Sequence, residues 1–570
     1  MNAARTRMPA WAAALTGLVA GAVALGAAQI VAGLIDPGAA PVVAVGGAVV
    51  DATPAGLKEW AIRTFGSYDK PVLLGGIVVV LALVAAGFGL LARRGTAYGT
   101  LGLAVFGLVG AAAALSRPDA GVAHVLPSLA GAAAGAWTLS RLARRAMDGG
   151  EEDYVAASRA ADEERAPATR PVSGPAGAAT PDEESRSPAP GPAVPAVMRA
   201  GASASPAPYA TPYAFDRRRL LTGAATGVVV AGAAGLGGWL LSGTKDGEIA
   251  RRSVARMLPR AARPAAPLPS GADLRIPGLA PFVTPNADFY RVDTALVVPS
   301  VDPARWTLKI HGLVDRPVEL TFADLLKRPL MEADVTLTCV SNEVGGPYIG
   351  NARWLGARLA DVLREAGIRS EADMLLSVSE DGWTCGTPVD VVMDGRDAML
   401  AVAMNGEVLP EAHGFPVRQV VPGLYGYVSA TKWVTEIRVT RFDRDEAYWT
   451  PRGWAPRGPI KTQSRIDLPR DGDEATAGRT TVAGIAWAQH RGVDAVEVRV
   501  DGGAWRQARL ADTPGPDTWR QWSLDLDLTP GRHTISVRAT DATGYTQTED
   551  EAPPAPDGAT GLHTVTVTAR

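Results

Sequence analysis

The chain has 570 residues, and its 56 Lys and Arg against 59 Asp and Glu leave a net charge of −3, so no basic excess draws it to nucleic acid and that class is set aside. Two cysteines exclude a disulfide framework and allow at most one bridge. The overall 47% hydrophobic content conceals an asymmetry, because the stretch up to Lys245 is rich in Ala, Gly, Val and Leu while most of the 14 tryptophans lie beyond it. A membrane half followed by a globular half is the expected fold class.

A bilayer core needs about 20 mostly apolar residues per helix. Residues 10–34, 71–92, 97–115 and 121–142 meet that requirement and predict a four-span membrane domain over 1–147. Arg5 and Arg7, Arg93 and Arg94, and Arg141, Arg144 and Arg145 flank the spans on one side, which places the amino terminus in the cytoplasm. The apolar piece at 40–54 is short and holds Gly46, Gly47 and Asp51, so it reads as re-entrant or interfacial.

Residues 148–214 are Pro, Ala, Ser and acidic side chains without periodicity, the composition of a disordered cytoplasmic linker. A fifth span follows within 215–243, and Arg217, Arg218 and Arg219 directly before its apolar run at 220–241 place everything after it outside the cell. The same arginines loosely resemble a twin-arginine export signal, with an ordinary basic stop beside a membrane helix as the alternative. The expected location is therefore the cell membrane, multi-pass, with the C-terminal part extracytoplasmic.

After a connector at 244–276, residues 277–458 alternate strand-like runs such as RWTLKIHG, ADVTLTC and KWVTEIRVTRF with short helical ones such as FADLLKR and LADVLREAG, an α+β pattern. From 459 to 570 only strands and turns remain, among them AVEVRVDGG and HTISVRATDATG, as in a β-sandwich of immunoglobulin type.

In TLTCVSNEVGG (336–346) the alternation of Val335, Leu337 and Cys339 with Thr336 and Thr338 puts the cysteine on the apolar face of a strand, just before a glycine-rich turn. Such a thiol is packing, a metal ligand, or half of a bridge to Cys385; a thiolate on a metal loses its proton outright, which makes burial and ionisation compatible. Further on, NGEVLPEAHGFPVRQVVPGLYGYVSATKW (405–433) places His413, Arg418 and Lys432 among turns at Gly414, Pro416, Pro422, Gly423 and Gly426. One imidazole, one guanidinium and one ammonium in a shared loop pocket suit an anionic, phosphate-bearing ligand. Surface cations with satisfied neighbours are the alternative.

Taken in order with TPNADFYRV, WTLKIHGLVDRPVELTFADLL, ARWLGARLADVLREAG, MNGEVLP, HGFPVR and ATKW, these segments resemble the sulfite oxidase superfamily of molybdenum-cofactor enzymes over about half of the chain. The resemblance implies that Cys339 binds molybdenum beside a pterin dithiolene and that His413, Arg418 and Lys432 contact the molybdopterin. Tyr290 and Arg291 lie in the family's first cofactor-contacting segment, with Ser429 and Thr431 near its backbone-contact loop. It also implies a C-terminal module of dimerisation type, hence a homodimer among the expected assemblies.

Two departures bear on substrate. Glu343 and Val344 stand where sulfite oxidases carry arginines, and Trp383 stands where the family's catalytic tyrosine is expected. Glu343 and Asp381 are candidate proton carriers, with turn or cap roles as the alternative; Cys385 is packing, a neighbouring thiol or a redox-sensitive gate. His124 is the only histidine in the spans and no CxxCH occurs, so no haem is expected within the chain. A separate electron donor or acceptor, quinone-linked protein or cytochrome, is expected instead. The implied activity is oxygen-atom transfer on a small molecule, with an S-oxide or N-oxide reductase of methionine sulfoxide type as the rival enzyme and a metal-free binding module as the rival from another class.

Overall fold

A computed structural model describes residues 8–54, 57, 60, 64–65, 69–117, 120–147, 217–241 and 244–570. The expected linker at 148–214 lies outside the described residues. Five described helices are long and apolar enough to cross a membrane: Ala10–Ile35, Val72–Ala92, Thr96–Leu115, Val122–Ala146 and Arg217–Gly238. The piece expected to be re-entrant is a helix at Pro41–Ala52, whose 12 residues rise only about 18 Å and fall short of a hydrocarbon core.

Two compact units emerge from the contacts, one of Met1–Ala24, Leu81–Val105 and Ala132–Gly232, the other of Leu25–Val80, Phe106–Gly131 and Ala233–Arg570. The first is helical. Its helices approach through glycine: a Cβ on Gly17 would collide with the Ala85 carbonyl, a contact that only a missing side chain permits.

The second unit holds the β-rich part. Its first ten strands are β1 Thr307–Gly312, β2 Val318–Thr321, β3 Leu330–Thr338, β4 Ile349–Arg358, β5 Met374–Ser379, β6 Thr384–Pro388, β7 Met399–Met404, β8 Glu407–Val408, β9 Arg418–Val420 and β10 Val434–Thr440. They form two sheets, ordered β2-β1-β10-β5-β6 and β3-β4-β7-β8, with β9 paired to β7. Strand β7, MLAVAM, is buried along its whole length, as a continuous apolar run in a central strand should be. Helix α1, Leu359–Ala366, turns its apolar stripe to the same core and is closed by Gly367 at φ 72°.

Nine more strands follow: β11 Gln463–Leu468, β12 Glu474–Ala475, β13 Gly478–Trp487, β14 Val493–Val500, β15 Arg506–Gln507, β16 Arg509–Leu510, β17 Arg520–Leu528, β18 Gly531–Asp541 and β19 His563–Ala569. Their two sheets, β11-β13-β17-β16 and β12-β19-β18-β14-β15, enclose one core to which Val482, Trp522 and Leu526 contribute from one side and Val496, Ile535 and Val565 from the other. This is a two-sheet sandwich.

The sandwich is fastened to β3, the strand that leads into the cysteine. Thr336 N donates to the Asp517 carbonyl at 2.9 Å, Trp519 N to Thr336 Oγ1 at 2.8 Å, and Gln489 Nε2 to Thr338 Oγ1 at 2.9 Å. Arg465 Nη1 donates to the Gly346 carbonyl at 2.8 Å, which holds the turn after the cysteine from the same side.

Candidate functional site

Cys339 sits at the first position after β3, half-buried, with its N–H on the Tyr348 carbonyl (3.0 Å) and its carbonyl accepting from Asn342 N (3.1 Å). Asn342 Oδ1 accepts from Tyr348 N at 2.7 Å, so the turn is tied across its neck. The thiol is free, and so is Cys385, which is fully buried on β6; the two are not bridged. Burial pushes the Cys339 thiol above its ordinary range, against hydrogen bonds from Ser341 and the Lys432 charge, so at neutral pH it carries its proton.

Around this turn the chain brings together residues distant in sequence. Phe289 is the hub: its ring stacks on Tyr290 (5.3 Å between centroids) and meets His413 (5.6 Å) and Trp354 (5.9 Å) edge-on. The Arg418 guanidinium, 5% exposed, lies over the Trp354 ring at 4.9 Å and donates through Nη1 to the His413 carbonyl at 3.2 Å. A Cβ at Gly426 would stand 3.7 Å from the Thr338 carbonyl and 3.9 Å from the Tyr290 hydroxyl, so the 425–433 loop lies between that phenol and the end of β3. Burial drives the phenol well above the tyrosine range, and a Cys339 thiolate would raise it further.

His413, the imidazole of the three basic side chains singled out in the sequence, takes the neutral form. Burial, reinforced by the Arg418 and Lys432 charges, lowers its imidazole to about 4, and Nε2 lies 3.3 Å from the Asn286 carbonyl. Arg418 is brought down by burial only to about 10 and stays charged. Lys432, lowered by burial to about 8 despite the opposing pull of Asp293, keeps its proton at pH 7, donating to Asp293 Oδ2 at 2.6 Å and to the Ala412 carbonyl at 3.2 Å. Arg291, more exposed, reaches the same carboxylate at 2.8 Å.

The other expected residues stand differently. Ser429 and Thr431 are buried with occupied hydroxyls: Ser429 Oγ donates to the Leu424 and Tyr425 carbonyls, and Thr431 Oγ1 shares a 2.6 Å hydrogen bond with Ser377 Oγ. They shape the 425–433 loop from inside. Asp381 accepts from Trp383 N at 3.3 Å across the tip of the β5–β6 hairpin, a turn contact, while Glu343 is exposed on the turn after the cysteine. Cys385 packs in a polar nest of Ser377, Thr387 and Thr431. Sequence reasoning missed Asp293, Phe289 and Trp354; the first was readable only as an acid two residues after Arg291.

A buried guanidinium needs partners, and Arg418 Nε has none among the described residues. An orphaned donor on a buried cation, beside Lys432, fits a phosphate-bearing group. Among the described residues no three His, Cys, Asp or Glu side chains converge to cage a metal. A metal at Cys339 must therefore arrive with ligands of its own, as in a pterin dithiolene.

The comparisons with known proteins point the same way. The model of the oxidoreductase molybdopterin binding domain matches residues 295–449. Mitochondrial sulfite oxidase of Homo sapiens is 32% identical over 303 residues, covering 45% of this chain and 55% of that one, so the chain spans about half the length of such relatives. An oxidoreductase of Bacillus subtilis, YuiH, is 36% identical over 157 residues, which are 28% of this chain and 76% of that one. Sulfite oxidase of Gallus gallus is 32% identical over 321 residues, 48% of this chain and 69% of that one. With the cysteine turn, the orphaned arginine and the buried lysine all inside the matched region, the chain belongs to the sulfite oxidase superfamily of molybdopterin-binding oxidoreductases.

Proposed function

We propose that this protein is a membrane-anchored molybdenum enzyme that transfers an oxygen atom to or from a small molecule outside the cytoplasm. The observation that carries the reading is the free Cys339 thiol together with a buried Arg418 whose Nε has no hydrogen-bond partner among the described residues, both close enough to Tyr290 to act on its phenol. Cys339 would hold the metal, Arg418 and Lys432 the phosphate-bearing pterin, and neutral His413 would offer a hydrogen-bonding nitrogen without adding charge. When bound, the cofactor supplies the two-electron chemistry. The chain's own contribution is to position it: the Cys339 turn is braced by Asn342 and Arg465, and the phenol of Tyr290, kept protonated, can donate a hydrogen bond beside the cysteine.

The five apolar helices support an anchor, and Arg217–Arg219 support export of the folded domain in twin-arginine fashion. The sandwich is read as an immunoglobulin-type module that also serves dimerisation. A quinone-linked protein or cytochrome would exchange electrons with the site. A second reading, reduction of a neutral S-oxide or N-oxide, is favoured by the exposed carboxylate of Glu343 four residues past the cysteine, since it would repel sulfite rather than collect it.

Molybdenum and pterin assay of the full-length protein tests the reading: about one molybdenum per chain is expected from one cysteine ligand and one pterin. Cys339→Ser should abolish turnover and leave the fold intact. A metal-free wild-type protein, or a fully active serine variant, would discard the enzyme in favour of a binding module.

A further inference from the structure

A pocket built to hold a phosphate would be expected to leave its lysine open, yet Lys432 is already met by a carboxylate. Asp293 Oδ2 lies 2.6 Å from Lys432 Nζ and 2.8 Å from Arg291 Nε, and Oδ1 lies 3.4 Å from Arg291 Nη2. The Asp293 side chain is 5% exposed and that of Lys432 11%, so this is an enclosed bridge between two cations from distant segments.

Three features separate it from an ordinary surface ion pair. The first is placement: Asp293 follows Phe289 and Tyr290, the aromatic pair that fixes this segment against His413, so its carboxylate is delivered to the site rather than drifting into it. The second is charge: among the described residues Arg291, Arg418 and Lys432 set three positive charges around the Asp293 carboxylate, so the subsite favours an anion. The third is competition. A carboxylate held two residues from Arg291 and placed against Lys432 by the fold acts at a high effective concentration, so a free monoanion gains little by replacing it, whereas a tetrahedral dianion brings twice the charge.

We propose that Asp293 is a resident counter-anion that occupies the anion subsite of Lys432 and Arg291 and gives it up only to a dianionic group, a phosphomonoester. This deepens, and rests on, the cofactor reading above. The carboxylate holds the buried Lys432 and the more exposed Arg291 together in cofactor-free protein and screens the subsite against carboxylates and other monoanions.

The test uses full-length protein in detergent, purified from cells unable to make the pterin, with sulfate as the tetrahedral dianion and acetate as the monoanion, at pH 6, where Lys432 is protonated and His413 is neutral. By calorimetry, wild type should bind sulfate and show no response to acetate. Asp293→Asn should bind sulfate at least about tenfold tighter and acquire acetate binding, and Asp293→Ser should behave alike if Asn disturbs the local fold. Lys432→Met should lose sulfate binding in both backgrounds. Equal sulfate affinity in wild type and both variants, weaker binding in the variants, or acetate binding by wild type overturns the proposal. Pterin content of wild type from normal cells is scored separately: an empty protein with Asp293-dependent sulfate binding sinks the cofactor reading and leaves the counter-anion standing.

Discussion

Arg418 shows how a functional residue can work against the fold that holds it. Its guanidinium is buried, stacked on Trp354, with one donor lacking a partner, and an uncompensated buried cation is among the costlier features a protein interior can carry. Arg418→Met preserves much of the side-chain volume and removes the charge. In cofactor-free protein this substitution should raise stability by about 1–3 kcal/mol, while pterin content in normally loaded protein should fall to background. Thermal melts and a pterin assay on the same variant check both halves, and a destabilised variant that still retained pterin would refute the assignment. The chemistry of this site was partly legible beforehand: Cys339, His413, Arg418 and Lys432 stand out as residue types at turns. Their protonation was not, because the neutral state of His413 follows from burial beside two cations supplied by β9 and the 425–433 loop, and sequence spacing carries no desolvation.

At the scale of elements, the alternating runs read from the sequence appear as β1, β3 and β10, and FADLL and LADVLREA as short helices, since each carries its own period and its own stop. The DGG at 501–503 turns the chain after β14 with Asp501 and Gly502 both at positive φ, the conformation that Asp-Gly favours in a tight hairpin turn. What pattern could not give is the meeting of loops, such as Asp293 with Lys432, which depends on long-range packing. Gly414 marks one such meeting, between the 411–418 segment and Lys432. It has φ 107°, and a Cβ there would lie 3.0 Å from Arg418 Cβ and 3.1 Å from Lys432 Cα. Gly414→Ala therefore combines backbone strain with crowding against two cofactor-facing residues. It should cost about 2–4 kcal/mol and reduce pterin retention, measured by chemical denaturation and by pterin content. A substitution without effect on either would mean that the loop relaxes freely and does not position these side chains.

For the molecule as a whole, the C-terminal sandwich bears on the site through β3 and the turn after it, and its own join to the preceding segment is closed by one carboxylate. Asp541 is 1% exposed at the end of β18; it accepts from Thr462 Oγ1 (2.7 Å), Arg491 Nε (2.8 Å) and the Thr543 and Tyr545 N–H groups (3.0 and 3.2 Å). Burial alone would raise this carboxyl, but the hydrogen bonds from Thr462, Thr543 and Arg491 outweigh it and hold the group well below the usual carboxylate range. A carboxyl whose folded value lies under its unfolded one contributes stability that is complete above about pH 4 and is lost as the pH falls towards the folded value. At pH 7, Asp541→Asn should therefore destabilise the sandwich by about 2–4 kcal/mol, less than the full cost of breaking a fully buried pair because the Arg491 side chain remains 29% exposed. The gap between wild type and variant should then stay level down to about pH 4 and narrow steadily below it, because only wild type has a charge to lose. Urea melts followed through the buried Trp487, Trp519 and Trp522 measure that gap. A gap that stayed constant across the range would show that the carboxylate acts by shape and hydrogen bonding alone, and that acid sensitivity of the sandwich must originate elsewhere.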